Sequence, residues 1–445
     1  MELLEKLGEL QSQYGFLPKN ELESLSAESG LPLGEIVSRA SFYSFLTFEP
    51  DPADHIERIY PCRKADRLLS PALPYEWKAL KKALLSPRDI IPAVEQACLL
   101  GRSGGGFPVA RKWEVTKAAP GNEKYIVCNA DEGELFTGKD RVLLENNPWA
   151  VIEGMAICAI AAGAKKGFIY LRAEYADLRD NLEGILKDAP LNDFEIEIYL
   201  GHGAYVCGDE TALLNSLEGR RGETRLKPPY PGVSGYRGCP TVVNNVESFA
   251  NVALILNTGA EEFKSSGTPD YPGTKLFTVC GAVNRPGVYE FPAGTLIGDL
   301  LKAAGGASEP IQALQMGGGS CRIVRTDCAD VSAAPKSCSE NGLNFGTGSL
   351  RFIGTDENLL TYVRELTEFF ARESCGTCTP CRVGLHKLSE LLKKAEEGTA
   401  WPEDIAQISE LAEQIRTSSR CPLGQAAVTP VLSLAENFPE VLACR

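Results

Sequence analysis

The sequence predicts an α/β protein with a short N-terminal helical segment, a sheet domain, a smaller strand-containing unit and a helical C-terminal region. Three patterns predict the last three of these units. Short apolar segments alternate with amphipathic ones from about 88 to 250, a hairpin pattern followed by a helix occupies 274–306, and helical spacing of apolar residues begins at Asp356. At 445 residues the chain is too long for one core, and its length suggests roughly three domains.

The composition is that of an acidic globular protein. Hydrophobic residues make up 44% of the chain, and the net charge of −14 disfavours nucleic acid and anionic membrane surfaces as partners. The first residues form neither a basic nor an apolar segment, and the most apolar stretch, 150–164, is too short for membrane insertion. We therefore expect a cytoplasmic protein whose 15 cysteines are reduced thiols or metal ligands.

The N-terminal region is expected to consist of helices and a connector. Residues 1–48 are predicted to be helical, because Pro18 and Pro32 stand where first-turn prolines occur and Gly30 ends the segment between them. Residues 49–85 are rich in proline and charge, which is typical of a connector that runs over the surface.

Residues 86–262 are expected to form the α/β domain. Strands are predicted at 125–128, 167–171 and 194–200, and helices at 149–162, 175–187 and 210–218. Alternation of strands and helices implies a sheet that is covered by helices.

Two further segments complete the predicted order. In 263–350, a hairpin and a helix at 296–304 indicate the start of a β-grasp-like unit. In 351–445 the pattern is helical, and the first helix is expected to end just before Cys375. Six apolar residues mark the buried face of that helix: Leu359, Leu360, Val363, Leu366, Phe369 and Phe370.

Four cysteines predict a metal centre. Cys375, Cys378 and Cys381 follow one another at three-residue spacing, and Cys421 precedes a proline forty positions further on. Two-residue gaps let one tight loop direct three thiolates at a small metal centre, and a distant fourth thiolate completes its coordination shell. The pattern favours a [4Fe–4S] cluster; a structural zinc ion or ordinary buried thiols are the alternatives. Three cysteines at irregular spacing are interpreted as free thiols, with an extra metal site as the alternative: Cys321, Cys328 and Cys338.

A glycine-rich loop at 101–106 indicates an anion site. Four glycines in six positions let backbone N–H groups approach a ligand closely, and Arg102 and Lys112 add positive charge. A phosphate is the expected ligand, and a flexible turn is the alternative if the loop is taken alone. The loop lacks both the Lys-Ser/Thr ending of a P-loop and the strand–loop–helix context of a dinucleotide fold.

Other polar segments fit the same pocket. Four side chains follow the first predicted strand, where α/β sheets bind ligands: Asn129, Asp131, Glu132 and Glu134. They suit a metal ion, sugar hydroxyls or ring N–H groups, with solvated loop charges as the alternative. The turn at 203–210 leads into a helix N-terminus, whose free amides favour an anion. Asn244 and Asn245 offer amides that suit a flavin ring, although asparagine pairs are more often turn residues.

Six motifs occur in a fixed order. They are Gly-Arg-x-Gly-Gly-Gly-Phe-Pro, Asn-Ala-Asp-Glu-Gly-Glu, Gly-Ala-Tyr-Val-Cys-Gly-Asp-Glu, Lys-Pro-Pro, Val-Asn-Asn-Val-Glu and Ser-Cys-Gly-Thr-Cys-Thr-Pro-Cys-Arg. With this set, 86–440 closely resembles the NADH-binding flavoprotein subunit of respiratory complex I, the 51 kDa type, and related subunits of NAD-linked hydrogenases and formate dehydrogenases. The resemblance implies a Rossmann-like FMN and NAD(H) domain, an SLBB-like β-grasp domain and a helical bundle with a [4Fe–4S] cluster.

The resemblance also implies roles for individual residues. Twelve would contact FMN: Gly101, Arg102, Gly104, Lys112, Asn129, Asp131, Tyr205, Gly208, Asp209, Glu210, Asn244 and Asn245. Five would contact NADH or NADPH: Phe107, Glu132, Glu134, Lys227 and Tyr230. Of these, Glu132 and Glu134 would be the catalytic residues that orient the nicotinamide for hydride transfer to FMN. The cluster held by the four cysteines would exchange single electrons with a partner subunit that carries iron–sulfur clusters.

The N-terminal segment resembles a second family, and several residues of the chain depart from the pattern of the first. Residues 1–48 resemble the N-terminal helices of the 24 kDa-type [2Fe–2S] subunit, without that subunit's cluster cysteines, and we expect a docking segment. Val115 and Tyr230 replace family phenylalanines, Ser103 a glycine and Asp209 a glutamate. Loss of one aromatic ring weakens adenine stacking by ~1 kcal/mol. The alternatives are therefore an FMN and [4Fe–4S] relay and assembly subunit without a working nucleotide site, and a zinc-stabilised scaffold without a redox role.

Overall fold

The computed structural model contains two main sheets, one parallel and one mixed, and several layers of helices. The residues that it describes are 2–14, 16–40, 42–43, 68–69 and 71–442. Most of the predicted connector at 49–85 lies outside them. Within the described part of the chain, no helix is long and apolar enough to cross a membrane.

Three short helices lie in the described part of the N-terminal segment, as predicted, while residues 44–48 of the predicted helical segment lie outside the described residues. The helices are α1 (Glu2–Tyr14), α2 (Lys19–Ser29) and α3 (Leu33–Ala40). Pro18 is the N-cap of α2, and Gly30 ends α2 in the left-handed conformation that favours glycine.

The first sheet has four parallel strands in the order β3-β2-β1-β4. The strands are β1 (Tyr125–Ala130), β2 (Lys166–Leu171), β3 (Glu195–Leu200) and β4 (Thr241–Asn245). The prediction found β1, β2 and β3. It missed β4, because only three apolar or β-branched residues precede the two asparagines of this strand.

Helices surround this sheet. They are α4 (Lys78–Leu85), α5 (Ile90–Gln96), α6 (Val109–Ala118), α7 (Lys139–Asn146), α8 (Pro148–Ala162), α9 (Arg179–Asp188), α10 (Glu210–Leu217), α11 (Val246–Thr258) and α12 (Ala260–Lys264). The predicted helices at 149–162 and 210–218 are confirmed as α8 and α10. The helix predicted at 175–187 begins later, because a 3₁₀ turn over Ala173–Leu178 contains Tyr175 in a non-helical conformation.

A second, five-stranded sheet follows in the order β10-β9-β11-β7-β8. After a ribbon of β5 (Gly267–Thr268) and β6 (Tyr271–Pro272), its strands are β7 (Thr274–Gly281), β8 (Gly287–Pro292), β9 (Ile311–Met316), β10 (Ile323–Val324) and β11 (Leu350–Gly354). Two helices accompany them, α13 (Ile297–Ala303) and α14 (Pro335–Glu340). The antiparallel pair β7–β8 and the helix α13 confirm the predicted hairpin and helix.

The C-terminal region is helical, as predicted. Its helices are α15 (Leu359–Arg372), α16 (Thr379–Glu396), α17 (Pro402–Ser418), α18 (Pro422–Ala426) and α19 (Thr429–Asn437). Five of the six apolar residues assigned to the α15 face are buried, and Phe369 is half-buried. Cys375 follows the end of α15, while Cys378 and Cys421 are the N-cap residues of α16 and α18.

The first sheet separates two hydrophobic cores. Val127 and Phe168 point into the core that contains the N-terminal and C-terminal helices. Ile126 and Ile169, one residue away on the same strands, point into the core to which α4, α8 and α11 contribute. The second sheet has a core of its own. This order follows the expected one, and the boundaries drawn at 86, 263 and 351 stay predictions.

Candidate functional site

A cavity of about 770 Å³ lies where the carboxyl ends of β1 and β4 meet the glycine-rich loop. This is the edge at which parallel sheets present ligand-binding residues. All five predicted nucleotide contacts line the cavity, and so do all predicted FMN contacts except Arg102 and Gly104. Segments that are far apart in the sequence therefore meet in one place.

The glycine-rich loop has a shape that requires glycine. The backbone N–H of Gly101 donates to the carbonyl of Phe107 at 2.9 Å and closes the loop. Gly104 has a φ of +113°, and a Cβ built on it would lie 3.1 Å from the backbone of Gly346. A side chain at this position would strain the loop and displace its neighbour.

The Arg102 side chain does not line this cavity. It is 1% exposed and donates to the carbonyl of Pro272, with its guanidinium 4.1 Å from the centre of the Tyr271 ring. The backbone N–H of Arg102 donates to Ser248 Oγ at 3.0 Å. Three lysines supply the positive charge of the cavity lining: Lys112, Lys139 and Lys227.

Two of these lysines are held by the start of α10. Lys112 Nζ donates to Glu210 at 3.0 Å, and Lys227 Nζ donates to Asp209 at 3.2 Å. The other oxygen of Asp209 caps α10 through the backbone N–H of Thr211 at 2.8 Å. Burial opposes ionisation of Asp209, but hydrogen bonds from Thr211 and the charge of Lys227 lower its pKa. The lysines thus lie at the cavity wall beside fixed carboxylates.

Asp131 is a buried carboxyl group that makes no hydrogen bond to the described residues through Oδ2. It is 8% exposed and lines the cavity. Burial raises the pKa of Asp131 to about 8; Arg172 opposes this shift, whereas Glu174 and Glu373 add to it. Buried polar atoms nearly always have a partner, so this oxygen fits a ligand that supplies one. Flavin ring and ribityl groups carry such donors and acceptors.

Glu132 is fixed at the N-terminus of α7. Both of its oxygens accept the backbone N–H of Asp140 at 3.0 Å, and one also accepts the Tyr175 hydroxyl at 3.0 Å. Burial and the nearby charge of Asp140 raise the pKa of Glu132 to about 7. The carboxyl group is therefore held firmly and lies at the cavity wall.

Glu134 connects three segments of the chain. Its carboxylate accepts the Tyr205 hydroxyl at 2.7 Å, the Ser320 hydroxyl at 2.9 Å and the Ser320 backbone N–H at 3.0 Å. Burial raises the pKa of Glu134, although these three hydrogen bonds oppose the shift. The acidic loop, the turn before α10 and the second sheet are thereby held together.

Two exposed aromatic rings stand at the cavity. Phe107 is 52% and Tyr230 59% exposed, and both line it together with the aliphatic Val115. Exposed rings at a cavity wall are suited to stack on a planar base.

The two asparagines lie in β4 rather than in a turn. Asn244 Oδ1 accepts the Trp113 indole N–H at 3.1 Å. Asn245 Oδ1 caps α11 by accepting the Glu247 N–H at 3.0 Å, and Asn245 Nδ2 donates to Asp140 at 2.6 Å. Both residues line the cavity.

Several lining residues were not predicted from the sequence. Five of them are small polar residues: Thr137, Thr224, Ser320 and Thr347 on loops, and Ser248 in α11. Ser320 and Thr347 come from loops of the second sheet. The glycine run at 317–319, which the sequence analysis did not use, is a signal that could have indicated the first of these loops.

The four predicted cluster cysteines lie together. Cys375, Cys381 and Cys421 are buried, and Cys378 is half-buried. Burial raises the pKa of the Cys381 thiol to about 12, and the charges of Cys378, Cys421 and Cys375 add to the shift, so the four thiols lie near one another. Two of them stand at helix N-termini, which favour thiolates. This donor set fits a cluster.

The number of these thiols suits a cluster. Among the described residues, no group of three or more His, Cys, Asp or Glu side chains is placed to hold a metal ion. A [4Fe–4S] cube is larger than one ion and takes one thiolate at each of its four irons. Cys421 also lines the cavity, so the candidate centre adjoins the candidate flavin site.

Three family models match the chain. The Nuo51 FMN-binding domain matches 94–254, the SLBB domain 276–324 and the NADH-ubiquinone oxidoreductase-F iron-sulfur binding region 361–444.

Individual proteins match over most of the chain. The NADH-quinone oxidoreductase F subunit of Aquifex aeolicus is 41% identical over 380 residues, which are 82% of this chain and 88% of that protein. The alpha subunit of the NAD-reducing hydrogenase HoxS of Cupriavidus necator is 40% identical over 80% of this chain and 60% of that protein. A chain in the crystal structure of an NAD⁺-reducing [NiFe]-hydrogenase in the H₂-reduced state is 31% identical, with a TM-score of 0.87 over 98% of this chain and 92% of that one.

Proposed function

The chain belongs to the family of the NADH-quinone oxidoreductase F subunits and the related NAD-reducing hydrogenase subunits, and we propose how its cavity performs the family's chemistry. The protein is an NADH dehydrogenase-type flavoprotein subunit of a multi-subunit complex, with FMN and a [4Fe–4S] cluster as cofactors. It exchanges a hydride with NAD(H) at FMN and single electrons with partner iron–sulfur subunits through the cluster. The predictions of fold class, family, cofactors and partners are thus confirmed.

One observation carries the proposed mechanism: Cys421 lines the same cavity as the predicted FMN and nucleotide contacts. FMN, when bound, supplies a centre that accepts two electrons together and releases them singly. The cluster site therefore lies at the wall of the chamber in which the hydride is exchanged.

The remaining roles belong to the residues of the chain. Backbone N–H groups of the loop at 101–106 and the charge of Lys112 would bind the flavin phosphate. Asp131 would make its missing hydrogen bond to the flavin. Glu132 and Glu134, already fixed by their neighbours, would act as rigid acceptors for the nicotinamide amide and ribose hydroxyls.

The nucleotide is held mainly by two rings and one lysine in this proposal. Phe107 and Tyr230 would stack on its bases, and Lys227 would face its phosphates. Rings that close over a bound nucleotide also exclude water from the site. A cytoplasmic location is part of the proposal, and it is supported by the lack of disulfide bonds between the described cysteines.

Steady-state assays test the proposal. The anaerobically purified protein is expected to contain FMN and iron in a ratio of about one to four and to reduce an artificial dye with NADH. Flavin that is bleached by dithionite but by neither NADH nor NADPH would contradict the proposal and favour the relay subunit without a nucleotide site. Absence of flavin and iron, with zinc in their place, would favour the structural scaffold.

A further inference from the structure

The N-terminal helices contact the segment that supports the cluster loop. Arg39, near the end of α3, donates from Nη1 to the carbonyl of Gly219 at 2.8 Å. The buried Tyr43 hydroxyl donates to the carbonyl of Arg220 at 2.9 Å. These bonds join residues 180 and 177 positions apart, and they fix the backbone of 219–220 to the N-terminal unit, defined here as the described residues of 2–43.

Arg221 continues this contact. Its guanidinium carbon lies 4.8 Å from the centre of the Phe42 ring, which is the geometry of a cation–π contact. A Cβ built on the next residue, Gly222, would lie 3.0 Å from the same ring, so the backbone here is pressed against Phe42. The Arg221 side chain is thus held by the N-terminal unit.

The other end of Arg221 contacts the cluster loop. Nη2 donates to the carbonyl of Cys375 at 2.7 Å. A Cβ built on Gly376 would lie 3.5 Å from the same nitrogen, so the loop packs closely on the guanidinium. Nearby, the Thr377 hydroxyl donates to Glu223 at 2.8 Å. The segment 219–223 therefore lies between the N-terminal unit and the cysteine loop.

From this arrangement we propose that Arg221 is a positioning residue for the cluster. The N-terminal unit holds the Arg221 side chain, through Phe42, against the carbonyl of Cys375. The inference rests on the [4Fe–4S] cluster of the proposed function. It assigns a task to an N-terminal unit that has no cluster cysteines of its own.

The charge of Arg221 has a second consequence. Among the described residues, the ion pairs of this segment involve Arg220 and Arg225 but not Arg221. Reduction adds one negative charge to the cluster, and a fixed cation nearby stabilises the reduced form. Arg221 is therefore expected to raise the reduction potential of the cluster.

Neighbouring Arg220 provides a matched control. It carries the same charge, is exposed, and lies 3.6 Å from Glu218 in an ion pair; its side chain has no contact with the cysteine loop among the described hydrogen bonds. Arg220→Gln and Arg221→Gln change the net charge equally, and only the second removes the contact to Cys375.

Two measurements on the full chain test the proposal. A redox titration followed by electron paramagnetic resonance, with dithionite as reductant, gives the cluster potential without use of the nucleotide. Arg221→Gln is expected to shift the potential downward, and Arg220→Gln to leave it unchanged. Equal shifts in the two variants, or none in Arg221→Gln, would overturn the proposal.

The rate of iron release to a chelator tests the positioning itself. Arg221→Lys keeps the charge but loses the planar fork and the stacking, so it is expected to retain the potential and to release iron several-fold faster. Phe42→Leu is expected to release iron faster as well. If Arg221→Gln retains no cluster while Arg220→Gln does, the proposal is supported.

Iron release from Phe42→Leu at the wild-type rate would overturn the assigned role of the N-terminal unit. If the protein fails to react with NADH but its variants show the expected cluster potentials and rates of iron release, the proposed function alone is contradicted.

Discussion

Asp131 combines burial, an unpaired oxygen and a position at the cavity wall. Burial raises its pKa to about 8, whereas an aspartate in an unfolded chain has a pKa of about 3.9. Between these values the folded, FMN-free chain holds a proton that the unfolded chain has released. Stability therefore falls as the pH rises from about 4 to about 8 and becomes independent of this group above that range.

The substitution Asp131→Asn removes this dependence, because asparagine is neutral at every pH. In FMN-free protein, the urea midpoint of the variant is expected to exceed that of the wild type more at about pH 8 than at about pH 5. The substitution Asp193→Asn, at an exposed position, is the control and should give no such difference. An equal change at both pH values in Asp131→Asn would contradict the assigned protonation.

Phe107 and Tyr230 are exposed rings whose expected role is to stack on the nucleotide. Replacing either ring with alanine should raise the KM for NADH roughly fivefold, since one stacking contact contributes about 1 kcal/mol. The FMN content should stay unchanged. Leu296→Ala, which removes an exposed apolar side chain that does not line the cavity, serves as the control. An unchanged KM in both ring variants would remove these residues from the nucleotide site.

The segments that line the cavity were predictable where a motif marked them, and the directions of their side chains were not. The acidic loop and the turn before α10 line the cavity as their order in the sequence implied. Arg102 was assigned to an anion, but its guanidinium packs on Tyr271 and Pro272, the latter 170 positions away. A contact over such a distance leaves no local pattern in the sequence.

At the scale of secondary structure, the crossing of α8 and α11 depends on one glycine. A Cβ built on Gly154 would overlap the carbonyl oxygen of Phe249. Gly184 in α9 has nothing within 4 Å of the same position. Both glycines lie within helices, but only Gly154 is packed against the backbone of another helix.

Alanine at these two positions is expected to have opposite effects. Gly154→Ala should destabilise the protein by more than about 2 kcal/mol, because the helices must separate. Gly184→Ala should stabilise it by about 0.5–1 kcal/mol, since alanine restricts the unfolded chain and suits a helix. Urea unfolding of both variants measures the two changes in the free energy of unfolding. A Gly154→Ala variant that is as stable as the Gly184→Ala variant would contradict the close packing of α8 on α11.

Strands and helices were predictable where their pattern was long. The apolar runs of β1 and β2 and the helix α8, in which Glu153 is the one charged residue, were identified from composition and spacing alone. β4 was missed because its last two residues are asparagines, which are common in turns, and its strand character depends on pairing with β1. The strand conformation of β4 is therefore set by its pairing with β1, which the sequence of β4 alone does not show.

At the scale of the whole molecule, three regions meet at one cavity. The first sheet supplies the loops, the second sheet supplies Ser320, and the C-terminal helices supply Cys421. The resemblance to a known family implied their cooperation, but the contact of Ser320 with Glu134 joins residues 186 positions apart and was visible only in the structure.

The most direct test of coupling between nucleotide, flavin and cluster is an anaerobic NADH titration that records flavin absorbance and the paramagnetic signal of the reduced cluster together. In the wild type, bleaching of the flavin and the cluster signal are expected to develop with NADH. In Cys421→Ala, the flavin should still bleach and the cluster signal should be absent. A wild-type protein whose flavin bleaches with NADH, but whose cluster is reduced only by dithionite, would contradict electron transfer between the two centres.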